Sequence, residues 1–170
     1  MKSTDVIVIG AGIVGSSTAY YLAKAGFEVT LIDSRRPISG GSATQACAGG
    51  VRQQGRVPVE IPLAIYSIDL WTRLEAELDD DLEYRQDGMT VLADDEKQIP
   101  SLSERVKTEQ SLGLDITLLR NSDLHDLIPG LSPDMLAGSY CPTDGHANPM
   151  RTVNAFIAAA QRLGVRLKWN

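Results

Sequence analysis

Three glycines and one carboxylate near the N-terminus follow a regular spacing. The glycines stand in Gly10-Ala-Gly12-Ile-Val-Gly15, and Asp33 follows 18 residues after the last of them. Gly10 permits a sharp turn out of a strand, Gly12 lets the backbone approach a pyrophosphate, and Gly15 lets a helix pack closely on a sheet. The N–H groups at the start of that helix attract phosphates. A carboxylate about 20 residues further on accepts ribose hydroxyls and repels a 2′-phosphate, so the pattern predicts a nucleotide site.

The elements around these residues must form a β-α-β unit for that chemistry to work. Residues 5–9 are a compact apolar run, typical of a strand buried on both faces of a parallel sheet. A helix is predicted from the glycines to Gly26, whose residue type suits the turn that closes a helix, and a second strand is predicted at 28–32. A plain β-α-β turn that binds nothing is the alternative. A kinase phosphate loop is excluded, because the sequence has neither a lysine-bearing strand nor an HRD-type loop.

Composition and charge narrow the classes of partner. The 170 residues, 43% of them hydrophobic, suit one globular domain or one domain with an insertion. A net charge of −6 gives no basic surface for nucleic acid or for an anionic membrane. Cys47 and Cys141 lack metal-ligand or redox-pair spacing, so neither a metal site nor a disulfide framework is predicted. This cysteine usage makes a reduced, cytoplasmic setting the default prediction. The N-terminal apolar run is too short for a signal peptide, and no segment is long enough to span a bilayer.

Small and polar residues follow the second predicted strand. Residues 34–50 are rich in Ser, Thr, Ala and Gly, and we predict a loop there. It is either an ordinary connection or a part of the site, because small side chains let a backbone lie against a flat ligand.

The middle of the chain predicts a helix followed by a hairpin. Apolar residues recur at helical spacing over 61–78, and the acidic run at 79–81 marks the helix end. Residues 82–85 and 89–93 flank Gln86-Asp87-Gly88, and Asp-Gly is a strong hairpin signal. Two antiparallel strands are therefore predicted.

The remaining residues predict further strands and helices. These are a helix at 101–112, a strand at 115–119, a short helix at 122–127 and a strand at 135–140. Asn148 is the predicted N-cap of a helix that begins at Pro149 and ends at Gly164. Residues 165–170 alternate apolar and polar, typical of a strand that could rejoin the first sheet.

The predicted fold class is α/β. We expect a Rossmann-like nucleotide-binding β-α-β domain that carries an antiparallel α+β insertion. The predicted division is 1–80 for the nucleotide-binding part, 81–143 for the insertion and 144–170 for the return to the first domain.

Four segments together resemble a known enzyme family. They are the glycine motif with Asp33, the loop that closes with Ala48-Gly-Gly-Val-Arg-Gln-Gln54, the Asp87-Gly88 pair, and Asp144-Gly-His-Ala-Asn-Pro149. The pattern resembles the N-terminal part of FAD-dependent amine and amino-acid oxidoreductases of the D-amino-acid oxidase superfamily, particularly the sarcosine oxidase and glycine oxidase branch. The first motif occurs in many nucleotide-binding folds, whereas the loop at 42–54 in combination with the two later segments is much more specific. The resemblance spans the whole chain.

The resemblance implies which residues bind FAD. In relatives, the glycines matching Gly10, Gly12 and Gly15 hold the pyrophosphate, and the acid matching Asp33 holds the adenosine ribose. The other implied cofactor contacts, which match the adenine end or the segment that passes the pyrophosphate and flavin, are Ile13, Val14, Ser34, Arg35, Ser42, Thr44, Gly49 and Gly50.

The resemblance identifies no catalytic residue. Arg52 matches a basic position close to the flavin, so it is a candidate to orient a substrate carboxylate, and a structural salt bridge or surface charge is the alternative. Some relatives attach the flavin through a histidine near residue 46. This chain has Ala46 and Cys47 there, which predicts a non-covalent flavin. His125 is expected at the surface. His146 is expected in a structural role, with a role in the site as the alternative.

The resemblance also implies a function. It implies an oxidase or dehydrogenase that oxidises the C–N bond of a small amino acid or secondary amine by hydride transfer to the flavin. In the resembling enzymes a similar length of chain follows, so we expect a truncated fold that works with a C-terminal half or another chain. An NAD-dependent dehydrogenase and a non-catalytic nucleotide-binding fragment or partner subunit stay open as alternatives.

Overall fold

The computed structural model describes residues 3–35 and 41–169, apart from the side chain at position 121. Residues 36–40 of the predicted loop and the last residue of the final predicted strand lie outside this part. The elements in chain order are β1 (Val6–Ile9), α1 (Ile13–Lys24), β2 (Val29–Asp33), α2 (Ala43–Ala46), β3 (Gly50–Val51), α3 (Ile61–Leu78), β4 (Met89–Ala93), α4 (Ile99–Ser111), β5 (Thr117–Arg120), α5 (Asn121–Leu127), β6 (Ala137–Cys141), β7 (Gly145–His146), α6 (Pro149–Arg162) and β8 (Arg166–Trp169).

The chain forms two compact units. The first unit comprises residues up to 49, residues 73–84 and residues from 147 onward. The second unit comprises 50–72 and 85–146. Helix α3 starts in the second unit and ends in the first.

A parallel sheet with strand order β1-β2-β8 forms the centre of the first unit. Helices α1 and α6 pack against each other, and the rings of Tyr20 and Phe156 lie 5.8 Å apart between them. Strand β8 pairs with β2, starting at Thr30 and Arg166. The prediction that the C-terminal strand rejoins the first sheet is therefore confirmed.

Strand β1 differs from the prediction in its burial. Ile7 is 55% exposed and Ile9 is 85% exposed, whereas Val6 and Val8 are half-buried. Successive side chains of a strand point to opposite faces. The prediction of burial on both faces is therefore wrong for this strand, which forms the edge of a three-stranded sheet.

Helix ends follow the local signals. The side chain of Asn148 accepts hydrogen bonds from the N–H groups of Met150 and Arg151, as predicted for the N-cap of α6. Gly26 follows α1 with φ +94°, the left-handed conformation that closes a helix. Helix α3 ends where the acidic run begins, as predicted. None of the helices in the described part of the chain combines the length and the hydrophobicity that crossing a membrane requires.

The second unit contains an antiparallel sheet with strand order β4-β6-β5. The predicted hairpin is wrong: β4 pairs with β6, which lies far away in sequence, and Arg85 forms only an isolated bridge with His146. Gly88 has φ +83°, and a Cβ atom there would lie 2.4 Å from the ring of Tyr140. Residues 86–88 form no turn and lead directly into β4, with Gly88 against this ring. The predicted turn is therefore absent, and tertiary structure set the pairing partner.

The apolar core of the second unit lies between helices α3 and α4 and the sheet. Five buried residues form its main cluster: Ile61, Val106, Leu114, Ile116 and Cys141. Helix α4 begins two residues before its predicted start and is followed by Gly113 with φ +92°. This core supports the segment 52–56, which is described below.

Candidate nucleotide-binding site

The turn at residues 10–15 has a geometry that only glycine permits at two positions. Gly10 has φ +99°, and its N–H donates to the carbonyl of Ile32 at 2.8 Å, which joins the turn to β2. A Cβ atom on Gly15 would lie 1.7 Å from the carbonyl oxygen of Gly10. Helix α1 can therefore start this close to the strand only without a side chain at position 15.

Helix α1 presents N–H groups at its start. Its first helical hydrogen bond runs from the N–H of Ser16 to the carbonyl of Gly12 at 2.9 Å. The N–H groups that precede it have no acceptor within the helix and carry its positive partial charge. The hydroxyl of Thr44 accepts from the N–H of Ile13 at 3.1 Å. A Cβ atom on Gly12 would lie 3.2 Å from that hydroxyl, so the glycine leaves room for Thr44 beside the helix start.

Asp33 lies at the end of β2, beside the turn. One carboxylate oxygen accepts from the N–H of Ala11 at 2.6 Å, and the other accepts from the N–H of Arg35 at 3.0 Å. The hydrogen bond from Ala11 is the main cause that holds the pKa of Asp33 below its ordinary value, and bonds from Arg35 and Ser34 act in the same direction against desolvation. The site therefore has an ionised carboxylate next to the helix start.

The predicted loop contains a helical turn, α2, which positions Thr44. The Ser42 hydroxyl accepts from the N–H of Gln45 at 3.2 Å, and the Gln45 side chain accepts from the N–H of Ser42 at 3.3 Å. This is a capping box. The prediction of a loop without helix is wrong here, and the Ser-x-x-Gln spacing was the signal that could have identified the helix.

The structure brings most of the predicted cofactor residues into the first unit. Ser34 and Arg35 adjoin the Asp33 carboxylate, and Val14 is 75% exposed in the first turn of α1. Gly49 has φ +76°, and a Cβ atom there would lie 2.1 Å from the carbonyl oxygen of Ala147. Gly49 therefore follows the backbone just ahead of α6, a constraint that the sequence did not reveal.

Gly50 and Arg52 belong to the second unit, beside a cavity of about 380 Å³. Gly50 pairs in β3 with His146 of β7. The cavity is lined by two arginines, by Glu60, by β3 and by one face of α3, namely Gly50, Val51, Arg52, Arg56, Glu60, Leu63, Ala64, Ser67, Ile68 and Trp71. Two guanidinium groups beside an apolar wall can bind a small anion with an apolar body. Sequence reasoning missed Arg56 and Trp71, since no motif includes them.

Comparison with known proteins gives the family. The model of the DAO family, described as FAD dependent oxidoreductase, matches residues 5–170. Dimethylglycine dehydrogenase from Rattus norvegicus mitochondria is 29% identical over 167 residues, covering 97% of this chain and 19% of the relative. Monomeric sarcosine oxidase from Arthrobacter sp. (strain TE1826) is 29% identical over 168 residues, covering 98% of this chain and 43% of the relative.

A solved structure gives the same picture. The crystal structure of L-proline dehydrogenase from P. horikoshii matches with a TM-score of 0.88 and 29% identity, covering 99% of this chain and 44% of that one. The chain thus spans less than half the length of each of these relatives. The predicted Rossmann-like α/β fold and the predicted cofactor, FAD, are both confirmed. The chain belongs to the DAO family of FAD-dependent oxidoreductases.

Proposed function

We propose that this chain binds FAD without a covalent bond and takes part in oxidising the C–N bond of an N-substituted amino acid. The observation that carries the proposal is the contact of the Asp33 carboxylate with the N–H of Ala11, inside the glycine turn that opens α1. This contact brings an acceptor for sugar hydroxyls beside donors for phosphates.

The residues of the first unit fit the adenosine diphosphate part of FAD. The Thr44 hydroxyl already accepts from the N–H of Ile13, and the other N–H groups in the first turn of α1 are donors for a diphosphate. Asp33 is ionised and already faces the turn, so its oxygens can accept ribose hydroxyls through their remaining lone pairs. Thr44 adds a hydroxyl at the same point. The absence of histidine at positions 46 and 47 supports a non-covalent cofactor.

The two units support a division of tasks. We assign FAD binding to the first unit and substrate binding to the second, which carries the cavity beside Arg52 and Arg56. The sequence-based division puts residues 50–72 in the nucleotide-binding part. The assignment instead groups residues 50–72 with 85–146 in the substrate part.

The substrate class follows from the relatives and the cavity together. Dimethylglycine, sarcosine and L-proline, in the names of the three relatives, all combine an N-substituted amine with a carboxylate. The guanidinium of Arg52 can bind such a carboxylate, while Ile68 and Trp71 offer an apolar surface for the rest of the molecule. We therefore propose a small N-alkylated or cyclic amino acid.

In the proposed reaction, the carbon next to the neutral nitrogen gives up a hydride, which leaves an iminium. The iminium loses a proton to become an imine where its nitrogen carries one. Water then adds to the C=N carbon and the C–N bond breaks, which gives a carbonyl group and an amine; in a cyclic substrate both stay in one molecule. Bound FAD supplies the acceptor for the hydride, and the chain's own residues bind and orient. The proposal assigns no general acid or base to the described residues.

The test is a flavin spectrum followed by substrate reduction. The purified protein is mixed with FAD, passed through a desalting column, and denatured with acid. We expect a yellow protein that releases all its flavin into the supernatant. A colourless protein that binds NADH instead would support the NAD-dependent alternative and overturn the proposal, and flavin that stays with the precipitate would overturn the non-covalent attachment.

Turnover is tested separately under anaerobic conditions. Loss of the visible flavin absorbance is measured with sarcosine, dimethylglycine, L-proline and, as a control amine that lacks the carboxylate, dimethylamine. We expect reduction by at least one amino acid and none by dimethylamine. Reduction by dimethylamine alone would overturn the assignment of a carboxylate-bearing substrate. FAD binding without any reduction would instead support the non-catalytic fragment or partner subunit.

A further inference from the structure

Residues 52–56, which we call the arginine segment, are held in place within the second unit by hydrogen bonds to buried polar groups. The segment begins and ends with an arginine that lines the cavity of about 380 Å³. Between the arginines, each residue makes a hydrogen bond to a side chain or backbone group elsewhere in the fold. The contacts lie 35 to 91 residues away in sequence. The segment's shape is therefore set by the surrounding fold.

Gln53 and Gln54 are held on the side of the sheet. The carboxylate of Asp144, fully buried, accepts from the N–H of Gln53 at 2.6 Å. The side chain of Gln54, also fully buried, donates to the carbonyl of Met89 and accepts from the hydroxyl of Ser139, both at 2.8 Å. These bonds fix the backbone on the N-terminal side of Gly55.

Gly55 is held by a helix residue. The carboxylate of Glu109, on α4 and 1% exposed, accepts from the N–H of Gly55 at 2.8 Å. Its second oxygen is buried without a hydrogen-bond partner among the described residues, and the guanidinium of Arg105 lies 3.9 Å from the first. Burial of a carboxylate costs free energy, whereas an apolar side chain at the same position of the helix would pack without that cost. Its one close hydrogen bond is the contact with the arginine segment.

The contact with Gly55 bears directly on Arg52. The guanidinium of Arg52 donates to the carbonyl of Gln54 at 3.2 Å. A Cβ atom on Gly55, which has φ +71°, would lie 3.0 Å from that guanidinium. Glu109 thus fixes the backbone next to the carbonyl that binds the Arg52 guanidinium. Glu109 and Arg56 also line a second cavity, of about 280 Å³.

We propose that Glu109 is a positioning residue, which fixes Gly55 so that Arg52 and Arg56 are preorganised for the carboxylate of the substrate. The proposal rests on the proposed function for the class of ligand, a small carboxylate. Glu109 itself contacts no substrate. Its removal should weaken anion binding at the cavity, because the segment must then be ordered at the moment of binding.

The test measures carboxylate binding without flavin or turnover. Trp71 lines the cavity, so its fluorescence reports binding, and a Trp169→Phe background removes the second tryptophan of the chain. Butyrate is titrated, with butyramide as the uncharged probe. We expect butyrate to bind and butyramide to bind at least tenfold more weakly, since hydrogen bonds to an ionised carboxylate are stronger than those to a neutral amide.

Four variants separate positioning from general stability. In Glu109→Leu we expect a Kd for butyrate about tenfold higher, because a hydrogen bond to a charged group is lost. Glu109→Gln keeps an acceptor for Gly55 and should restore the Kd to within about twofold of wild type. Glu109→Asp shortens the side chain by one methylene, which moves the carboxylate away from the N–H of Gly55. This smaller change replaces Glu109→Leu in the test if the leucine variant does not fold. Glu104→Leu is the control, because Glu104 is an exposed carboxylate on the same helix that lines the same second cavity.

Each outcome decides between the two proposals. Equal butyrate affinity in wild type and in folded Glu109→Leu or Glu109→Asp overturns the positioning role and leaves the proposed function intact. An equal loss in Glu104→Leu overturns it as well, because charge alone would then explain the effect. If wild type binds butyrate no better than butyramide, the carboxylate site and its positioning residue both fail, whereas FAD binding in the first unit is unaffected.

Discussion

The glycine turn at residues 10–15 and the arginine segment at 52–56 both arrange groups that can bind negative charge, but different contacts hold them in place. In the turn, the steric limits are local, since a Cβ added on Gly15 would meet the carbonyl of Gly10. The hydrogen bonds that the turn makes to Asp33 and Thr44 stay within the same N-terminal stretch. In the arginine segment, the decisive bonds reach Glu109 and Asp144, far along the chain. The turn is thus held by one end of the chain, whereas the segment is held by distant parts of the second unit.

This difference teaches where each region is sensitive. The turn binds negative charge through backbone N–H groups, which almost every residue has. The positions of the glycines, where side chains are absent, therefore decide whether a phosphate can bind. The segment uses guanidinium side chains, which are long and flexible, so its specificity depends on buried partners that fix the backbone beneath them. The predictions below test this contrast.

The largest effect is expected from Gly15→Ala, which tests the turn. Its Cβ would lie 1.7 Å from the Gly10 carbonyl, so α1 must move away from the strand. Overpacking of about 3 kcal/mol should raise the Kd for FAD about a hundredfold, measured by quenching of flavin fluorescence. Gly26→Ala is the matched control: it also lies in the first unit, with φ +94° and nothing within 4 Å. It should reduce stability by about 1 kcal/mol and leave FAD affinity unchanged. Normal FAD affinity in Gly15→Ala would refute the local account of the turn.

The next effect is expected from Gln54→Leu, which tests the arginine segment. The substitution keeps side-chain volume but leaves the buried Ser139 hydroxyl and the Met89 carbonyl without their partner. The free energy of unfolding in urea should fall by about 2 kcal/mol. Gln110→Leu removes a similar amide, bonded to the carbonyl of Ile116 at an exposed position, and should change stability by about 0.5 kcal/mol or less. An equal loss of unfolding free energy in Gln54→Leu and Gln110→Leu would contradict the view that burial of the hydrogen bonds makes the larger contribution.

Asp33→Asn tests the electrostatic part of the turn. The pKa of Asp33 is held below its ordinary value of 3.8, chiefly by the N–H of Ala11, so ionisation of this group stabilises the folded state. The stabilisation is fully present above pH 3.8 and is lost as pH falls through the lower folded pKa. The stability difference between wild type and variant should therefore be present at neutral pH and should vanish in strong acid, as measured by urea unfolding across pH. FAD affinity at neutral pH should fall about tenfold. A stability difference that is independent of pH would contradict the role of the charge.

The smallest effect is expected from Asn148→Ala, at the start of α6. The variant loses the acceptor for the N–H groups of Met150 and Arg151, which should reduce stability by about 1 kcal/mol in thermal unfolding. Asn148→Asp keeps the acceptor and should retain most of the stability. Because α6 belongs to the first unit, butyrate binding should be unchanged in both variants. A loss of butyrate binding would show that the two regions are coupled.

Much of the first unit could be predicted from the sequence. The apolar run of β1, the glycines of the turn and the N-cap at Asn148 each act within a few residues, so their patterns carry the structure directly. The helical turn at α2 was readable too, from the spacing of Ser42 and Gln45. Among the site residues, Asp33 and Thr44 were named in advance, and the structure places both in contact with the turn.

The pairing of strands in the second unit could not be predicted in the same way. Asp87-Gly88 predicted a hairpin, yet the chain passes through these residues into β4, which pairs with β6, and Gly88 lies against the ring of Tyr140. A two-residue signal reports a local backbone preference only, whereas pairing depends on side chains packed across the sheet.

By itself, the sequence determined the glycine turn, its carboxylate and the family to which the chain belongs. The tertiary structure alone decided how the arginine segment is held, because a buried carboxylate such as Glu109 looks in the sequence like any acidic residue on a helix. Hydrogen bonds between residues 54 or 91 positions apart leave no periodic pattern. They form only in the folded state, because both partners lose their bound water on burial and each then needs the other as its hydrogen-bond partner.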